Sequence, residues 1–247
     1  MRAISIVSAG YMPGLEFFQM MHIVDELYID DEGGYNRNSR HDGNCIRTTD
    51  GITWLRVPVV QGAKTLPEAS LADGPSFRRQ HLELIKRSYH DSQFFNDLYP
   101  GLEEWMLSDF LTLTGLNIAL IEHFFKPNLD LETPTRRTST VDYDRDEKDR
   151  SVRLLSFLRA VGADTIVIFD GAMKWLDESV LATNGITVRW FHPEVQVYIQ
   201  LHPGADYRVS ILDMLFSIGP KAAYMVKKVE WYDTDVLEDH QESGTLG

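Results

Sequence analysis

The sequence lacks the means to cross-link itself, to coat itself in positive charge or to enter a membrane. Its 247 residues include one cysteine, Cys45. No disulfide can close within the chain, and a cysteine-built metal site is excluded. Positive charge is scarce: 24 Lys and Arg stand against 37 Asp and Glu, a formal net charge of −13. A free-standing nucleic-acid binder needs a basic footprint to meet the phosphates, so this balance opposes DNA binding, although a local basic patch could still hold a phosphate. No apolar run approaches the roughly 20 residues that span a bilayer, and membrane insertion is not expected. The opening residues, Met1 to Ser8, alternate apolar and polar side chains. That alternation reads as a strand rather than a signal peptide, which leaves the cytoplasm as the default location. Gly-x-Gly-x-x-Gly, the P-loop and closely spaced histidine pairs are also missing. A standard dinucleotide or nucleoside-triphosphate fingerprint and a zinc site are therefore not expected.

What is present is a chain with 43% hydrophobic residues, long enough for one large domain with a real core. That domain is expected over residues 1–232, followed by an acidic, flexible tail over 233–247. Short β-branched runs alternate with helical periodicity, which predicts strands at 2–8, 27–30, 53–60, 165–169 and 186–191. The class expected is α/β, a mainly parallel sheet flanked by helices, with a helical segment inserted in the middle. That segment runs over 76–125 and is expected to break at Pro100-Gly101. Residues 31–52 read as a long polar loop, and 127–150 as an active loop or a mobile connection.

In open parallel sheets, ligands bind at the carboxyl ends of strands. Asp30 and Asp31 end one predicted strand, and Asp170 follows another. Carboxylates there suit a general base or Mg²⁺, or they merely cap the next turn. The loop holds Arg37, Arg40, His41 and Asn44, with Arg47 close by, and guanidinium forks suit carboxylate or phosphate. His41 beside Asp42 suits proton transfer. Arg78 and His81 lie three apart near a helix start, where free N–H groups also favour anions; a solvated face is the preferred reading of the two. Tyr11, Asp30, Asp31, Arg78, His81 and Asp170 are expected around one cleft.

The order of several short motifs resembles the WbqC-like family. They are Tyr11-Met12-Pro13, Phe17-Phe18, Ile29-Asp30-Asp31, Asn44-Cys45-Ile46-Arg47-Thr48 and Trp54-Leu55-Arg56-Val57-Pro58-Val59. Phe77-Arg78-Arg79-Gln80-His81-Leu82, Gly162-Ala163-Asp164-Thr165, Tyr198-x-Gln200 and Ser210-Ile211-Leu212-Asp213 continue the series. No piece is specific alone; the series covers nearly the whole chain. The chain departs from the family pattern at Val7-Ser8-Ala9, where the family has His-Gln-Pro, at Gly14, where it has Trp, and at Phe169-Asp170, where it has Ser-Gly. Its His-Pro before Tyr-x-Gln falls at Gln196 and its neighbours.

The resemblance implies a role in surface-polysaccharide (O-antigen) or natural-product biosynthesis. The activity it implies is a transferase that forms an amide by moving an aminoacyl, glycyl-type or related acyl group to an amine of a sugar or small metabolite. The implied partners are a small-molecule substrate and an activated amino-acid donor; the cofactor, nucleotide or metal, is left open. His81, Asp30, Asp31 and Asp170 are then the catalytic candidates. Tyr11, Arg37, Arg40, His41, Asn44, Arg47, Arg78, Tyr198, Gln200 and Asp213 are the substrate-binding ones. Two alternatives stay open: a nucleotide-dependent, adenylate-forming ligase, and a non-catalytic binding protein that has lost the family's chemistry.

Overall fold

A computed structural model describes residues 1–72, 74, 76–193 and 195–229. The tail expected over 233–247 lies outside the described residues. Five strands form one parallel sheet: β1 (Ala3–Ser8), β2 (Glu26–Asp30), β5 (Thr135–Arg137), β6 (Thr165–Phe169) and β7 (Thr187–Phe191). Their spatial order is β5-β2-β1-β6-β7. The chain therefore builds outward from β1 through β2 to β5, then returns and builds the other way through β6 and β7. The direction reverses between β1 and β6.

Period-2 alternation decides which helices each face receives. Ala3, Val7, Leu27, Ile29 and Val167 point into a large core shared with α1 (Leu15–His22), α2 (Ser76–Tyr89), α3 (Phe95–Leu107) and α4 (Leu113–Ala119). α4 runs on through a π-helical turn, Leu120–Phe125, into the short α5 (Lys126–Asn128). α8 (Ile211–Ile218) and α9 (Lys221–Lys227) close the same layer. Ile4, Tyr28, Ile166, Val188 and Trp190 point the other way, onto α6 (Arg150–Val161) and α7 (Glu178–Ala182). Phe157 of α6 meets Tyr28 edge to face at 5.0 Å, and both are buried. Each such aromatic contributes on the order of 2 kcal/mol through burial alone. α6 is bounded by local chemistry: the Asp149 carboxylate accepts from the Ser151 and Val152 N–H groups, and Gly162, at φ 67°, ends the helix in the left-handed region.

The sequence-based expectations fail in four places, each for a physical reason. Residues 31–52 are not a structureless loop. β3 (Gly43–Thr48) pairs antiparallel with β4 (Gly51–Arg56) in a separate two-stranded sheet. β3 is buried throughout, yet three of its residues are Asn44, Arg47 and Thr48. Polar groups satisfied inside the protein erase the apolar alternation by which a strand is recognised. The strand expected at 53–60 ends at Arg56 and belongs to this hairpin, not to the parallel sheet. β5, within the expected loop 127–150, is a three-residue edge strand whose Arg136 Nε lies 2.7 Å from Glu26 Oε1; short, charged edges are how sheets avoid further pairing. Pro100 does not break the helical segment but sits inside α3, four residues after the exposed Asn96, whose carbonyl water can satisfy. The breaks fall at 90–94 and 108–112. Among the described residues no helix is long and apolar enough to cross a membrane.

Candidate functional site

A cleft of about 680 Å³ lies where the strand order reverses, on the α6 face. Its floor is Ile6 and Ser8 of β1 with Ile166 and Ile168 of β6, all on one face of the sheet by alternation. Its walls are Leu154 and Phe157 of α6, Tyr143 and Trp175. Charge enters from both sides: Asp30 at the end of β2 and Glu32 just after it, and Arg145, Arg150 and Arg153 around the start of α6. Three guanidiniums lining one cleft of a chain with net charge −13 are a local inversion of its electrostatics.

The arginines differ in what they have left to offer. Arg145 donates to Glu32 at 2.7 Å and to the carbonyl of Val141 at 2.6 Å, and stacks 4.6 Å over Tyr143. It ties the segment before α6 to the end of β2. Glu32 keeps a second carboxylate oxygen buried and unpartnered. Arg150 lies 4.0 Å over the Trp175 ring. Arg153 gives one N–H to the Glu147 carbonyl at 3.0 Å. Arg150 and Arg153 are one helical turn apart, so their remaining donors share a face.

The strand-end carboxylates have distinct roles. Asp30 accepts the backbone N–H groups of Glu32 and Gly33 at 3.1 and 2.9 Å, a turn that fixes its carboxylate at the cleft. A side chain at Gly33 would meet that carboxylate and force it to shift. Asp31 spends both oxygens on the far side of β5: Ser139 Oγ donates to Oδ2 at 2.8 Å and Ser139 N–H to Oδ1 at 3.0 Å. It fastens the 138–140 turn.

Asp170 has a partner that the sequence alone does not single out. β6 and β7 run in register, Phe169 beside Phe191, so the next residues, Asp170 and His192, also fall side by side. His192 Nδ1 lies 2.5 Å from Asp170 Oδ2. An ionised carboxylate only accepts, which assigns the proton to Nδ1 and leaves the Nε2 lone pair for other work. The histidine is 58% and the aspartate 39% exposed. Two residues before Asp170, Ile168 lines the cleft, and the 3-10 turn that Asp170 opens delivers Trp175 to it. The signal was available: the strand-end argument that picks out Asp170 applies equally to the residue after Phe191.

The other candidates lie away from this cleft. Tyr11 and His81 are buried in the larger helical layer, with Tyr11 Oη 2.8 Å from His81 Nδ1 and 3.5 Å from Met106 Sδ. Burial lowers the His81 pKa to about 4 and pushes the Tyr11 hydroxyl well above its ordinary value. Arg78 is buried, donating to the Ser108 and Phe110 carbonyls; it clamps the connection between α3 and α4. The six residues expected around one cleft are therefore split. Only Asp30 lines it; Asp31 and Asp170 stand at strand ends but not in its lining, and Tyr11, Arg78 and His81 are buried away from it.

A second group organises the β3 hairpin. Asn44 Nδ2 donates to the Met12 carbonyl at 2.7 Å, holding a non-glycine residue at φ 45°, and Asn44 Oδ1 accepts from Arg40. Arg37 donates to the Val59 carbonyl at 2.9 Å and Arg47 to those of Pro203 and Gly204. The fully buried Asp213 accepts from Tyr89 at 2.9 Å, Tyr198 at 2.7 Å and Gln200 at 2.8 Å. Arg40 and Tyr198 also line a smaller pocket of about 330 Å³ over α1. His41 stacks on Tyr35; burial lowers its pKa, with Asp30 and Asp42 acting against that shift. Among the described residues no group of three or more His, Cys, Asp or Glu is gathered so as to hold a metal ion.

The model of one protein family, described as the WbqC-like protein family, matches residues 9–225. An uncharacterized protein of Mycobacterium tuberculosis, Rv1507c, is 28% identical over 228 residues, which cover 90% of this chain and 96% of that protein. No solved structure matches.

Proposed function

The chain belongs to the WbqC-like protein family, and on that premise we propose that it is a biosynthetic group-transfer enzyme that joins an acyl or aminoacyl group to the amine of a small metabolite. The observation that carries this reading is the Asp170–His192 pair at adjacent strand ends, two residues beyond Ile168, which lines a cleft with a cationic wall. Amide formation needs a base for the attacking amine and positive charge for an anionic donor.

In this scheme His192 Nε2 takes a proton from the amine as its nitrogen attacks the donor carbonyl. The carbon–nitrogen bond forms, the bond to the leaving group breaks, and the imidazolium returns the proton to the leaving group. Asp170 holds the ring and balances the transient charge. Arg150 and Arg153 take the donor's anionic part, and the acceptor enters as the free amine. This assignment supplies the base that the missing His-Gln-Pro motif leaves open.

The test is to incubate the purified protein with aminoacyl and acyl thioesters and a panel of amines that includes hexosamines, and to read amide products by mass spectrometry. Product with the wild type and at least a hundredfold loss in His192→Gln, with folding intact, is expected. Equal rates in the two proteins would remove His192 from the mechanism.

A further inference from the structure

We infer that the cleft between β1 and β6 is a ribonucleotide site, taking a nucleoside 5′-phosphate by its phosphate and its ribose. This names a ligand class for the cleft and rests on the reading of that cleft as the substrate site, but it concerns binding alone.

Three independent observations converge. The first is topological. Numbered by their order along the chain, the five parallel strands stand third, second, first, fourth, fifth. A doubly wound sheet of this order opens a crevice where the winding reverses, because the crossovers on either side leave in opposite directions. The cleft floor, Ile6 and Ser8 beside Ile166 and Ile168, is that point. The second is Asp30. A carboxylate at the carboxyl end of the second strand, fixed by two backbone N–H groups, stands where such sheets accept ribose hydroxyls. The third is cationic. Arg150 and Arg153 bring guanidinium forks to the opposite wall, and a fork fits a phosphate face with two parallel N–H···O bonds.

This site departs from a standard dinucleotide site in its phosphate binder. The loop after β1 is Ala9-Gly10-Tyr11-Met12-Pro13-Gly14, and α1, which follows it, packs on the opposite face. Side-chain guanidiniums therefore replace the glycine-rich turn, which is why the usual fingerprint is absent from the sequence. The cleft volume falls within the range of small-molecule sites, roughly 300–1,000 Å³.

The probes are AMP, GMP, CMP and UMP, their 2′-deoxy forms and inorganic phosphate, titrated calorimetrically into the full chain. At least one ribonucleotide is expected to bind at least tenfold more tightly than both its 2′-deoxy form and phosphate, since losing a hydrogen bond to a charged group costs about that factor or more. Arg150→Gln removes an exposed guanidinium and should cost about tenfold without changing the melting temperature; Arg153→Gln should act in the same direction. Asp30→Asn should erase the preference for ribose over deoxyribose. No binding by any of the four ribonucleotides at millimolar concentration, or phosphate binding as tightly as they do, overturns the inference. Nucleotide binding without amide formation leaves it standing and removes the group-transfer reading; amide formation without nucleotide binding does the reverse.

Discussion

Arg78→Ala separates a structural arginine from a substrate-binding one. In the sequence Arg78 reads as an anion anchor whose loss would spare folding. In the structure its guanidinium is buried and donates to the carbonyls of Ser108 and Phe110. Burial holds its pKa below the ordinary arginine value, so the charge is tolerated for the clamp it provides. Removing it strands two acceptors at about 1.5 kcal/mol each, a loss of about 3 kcal/mol, since Ser108 is half-buried and water can partly re-enter. For a chain of this size each kcal/mol shifts Tm by roughly 2–4 °C, giving a fall of roughly 6–12 °C. Thermal melts followed by circular dichroism measure it, and Arg78→Met, which keeps the apolar stem, divides packing from hydrogen bonding. A Tm within about 2 °C of the wild type in Arg78→Ala would refute the clamp.

Further consequences are equally direct. His81, with a pKa lowered to about 4 from 6.5, binds a proton less readily folded than unfolded. Stability should therefore fall as pH drops from about 6.5 to about 4, by on the order of 3 kcal/mol in total; urea titrations of wild type and His81→Phe that run parallel across this window would contradict it. Asp213→Ala leaves Tyr89, Tyr198 and Gln200 without their common acceptor and should cost about 3–5 kcal/mol; a loss under about 1 kcal/mol would show that the network is dispensable. Asp31→Ala should free the 138–140 turn, read as faster proteolytic cleavage near Ser139 with little change in global stability; unchanged cleavage would mean that the turn is held by other contacts.

The parallel sheet was legible because its strands β1, β2, β6 and β7 carry apolar runs at buried positions. β3 was hidden by its own satisfied polar groups, and β5 by its brevity and its two arginines. The site was legible only in part. Asp30 and Asp170 follow from a rule about strand ends. His192 follows from the same rule but needs the pairing register of β6 with β7 to become visible as a partner. Arg145, Arg150 and Arg153 sit in a charged stretch that resembles a solvated surface until the return crossover from β5 to β6 turns it toward the cleft. Arg78 and His81 mislead for the opposite reason: a helix face cannot declare which of its polar residues is buried.

The account stands most directly on whether His192 acts as the base. Amide formation from an acyl thioester and an amine should be measured by mass spectrometry in wild type, His192→Gln and Asp170→Asn, with melting temperatures taken in parallel. The account predicts turnover in the wild type, a loss of at least a hundredfold in His192→Gln, a smaller loss in Asp170→Asn, and Tm values within about 2 °C throughout, since both side chains are partly exposed. Turnover undiminished in His192→Gln would contradict it.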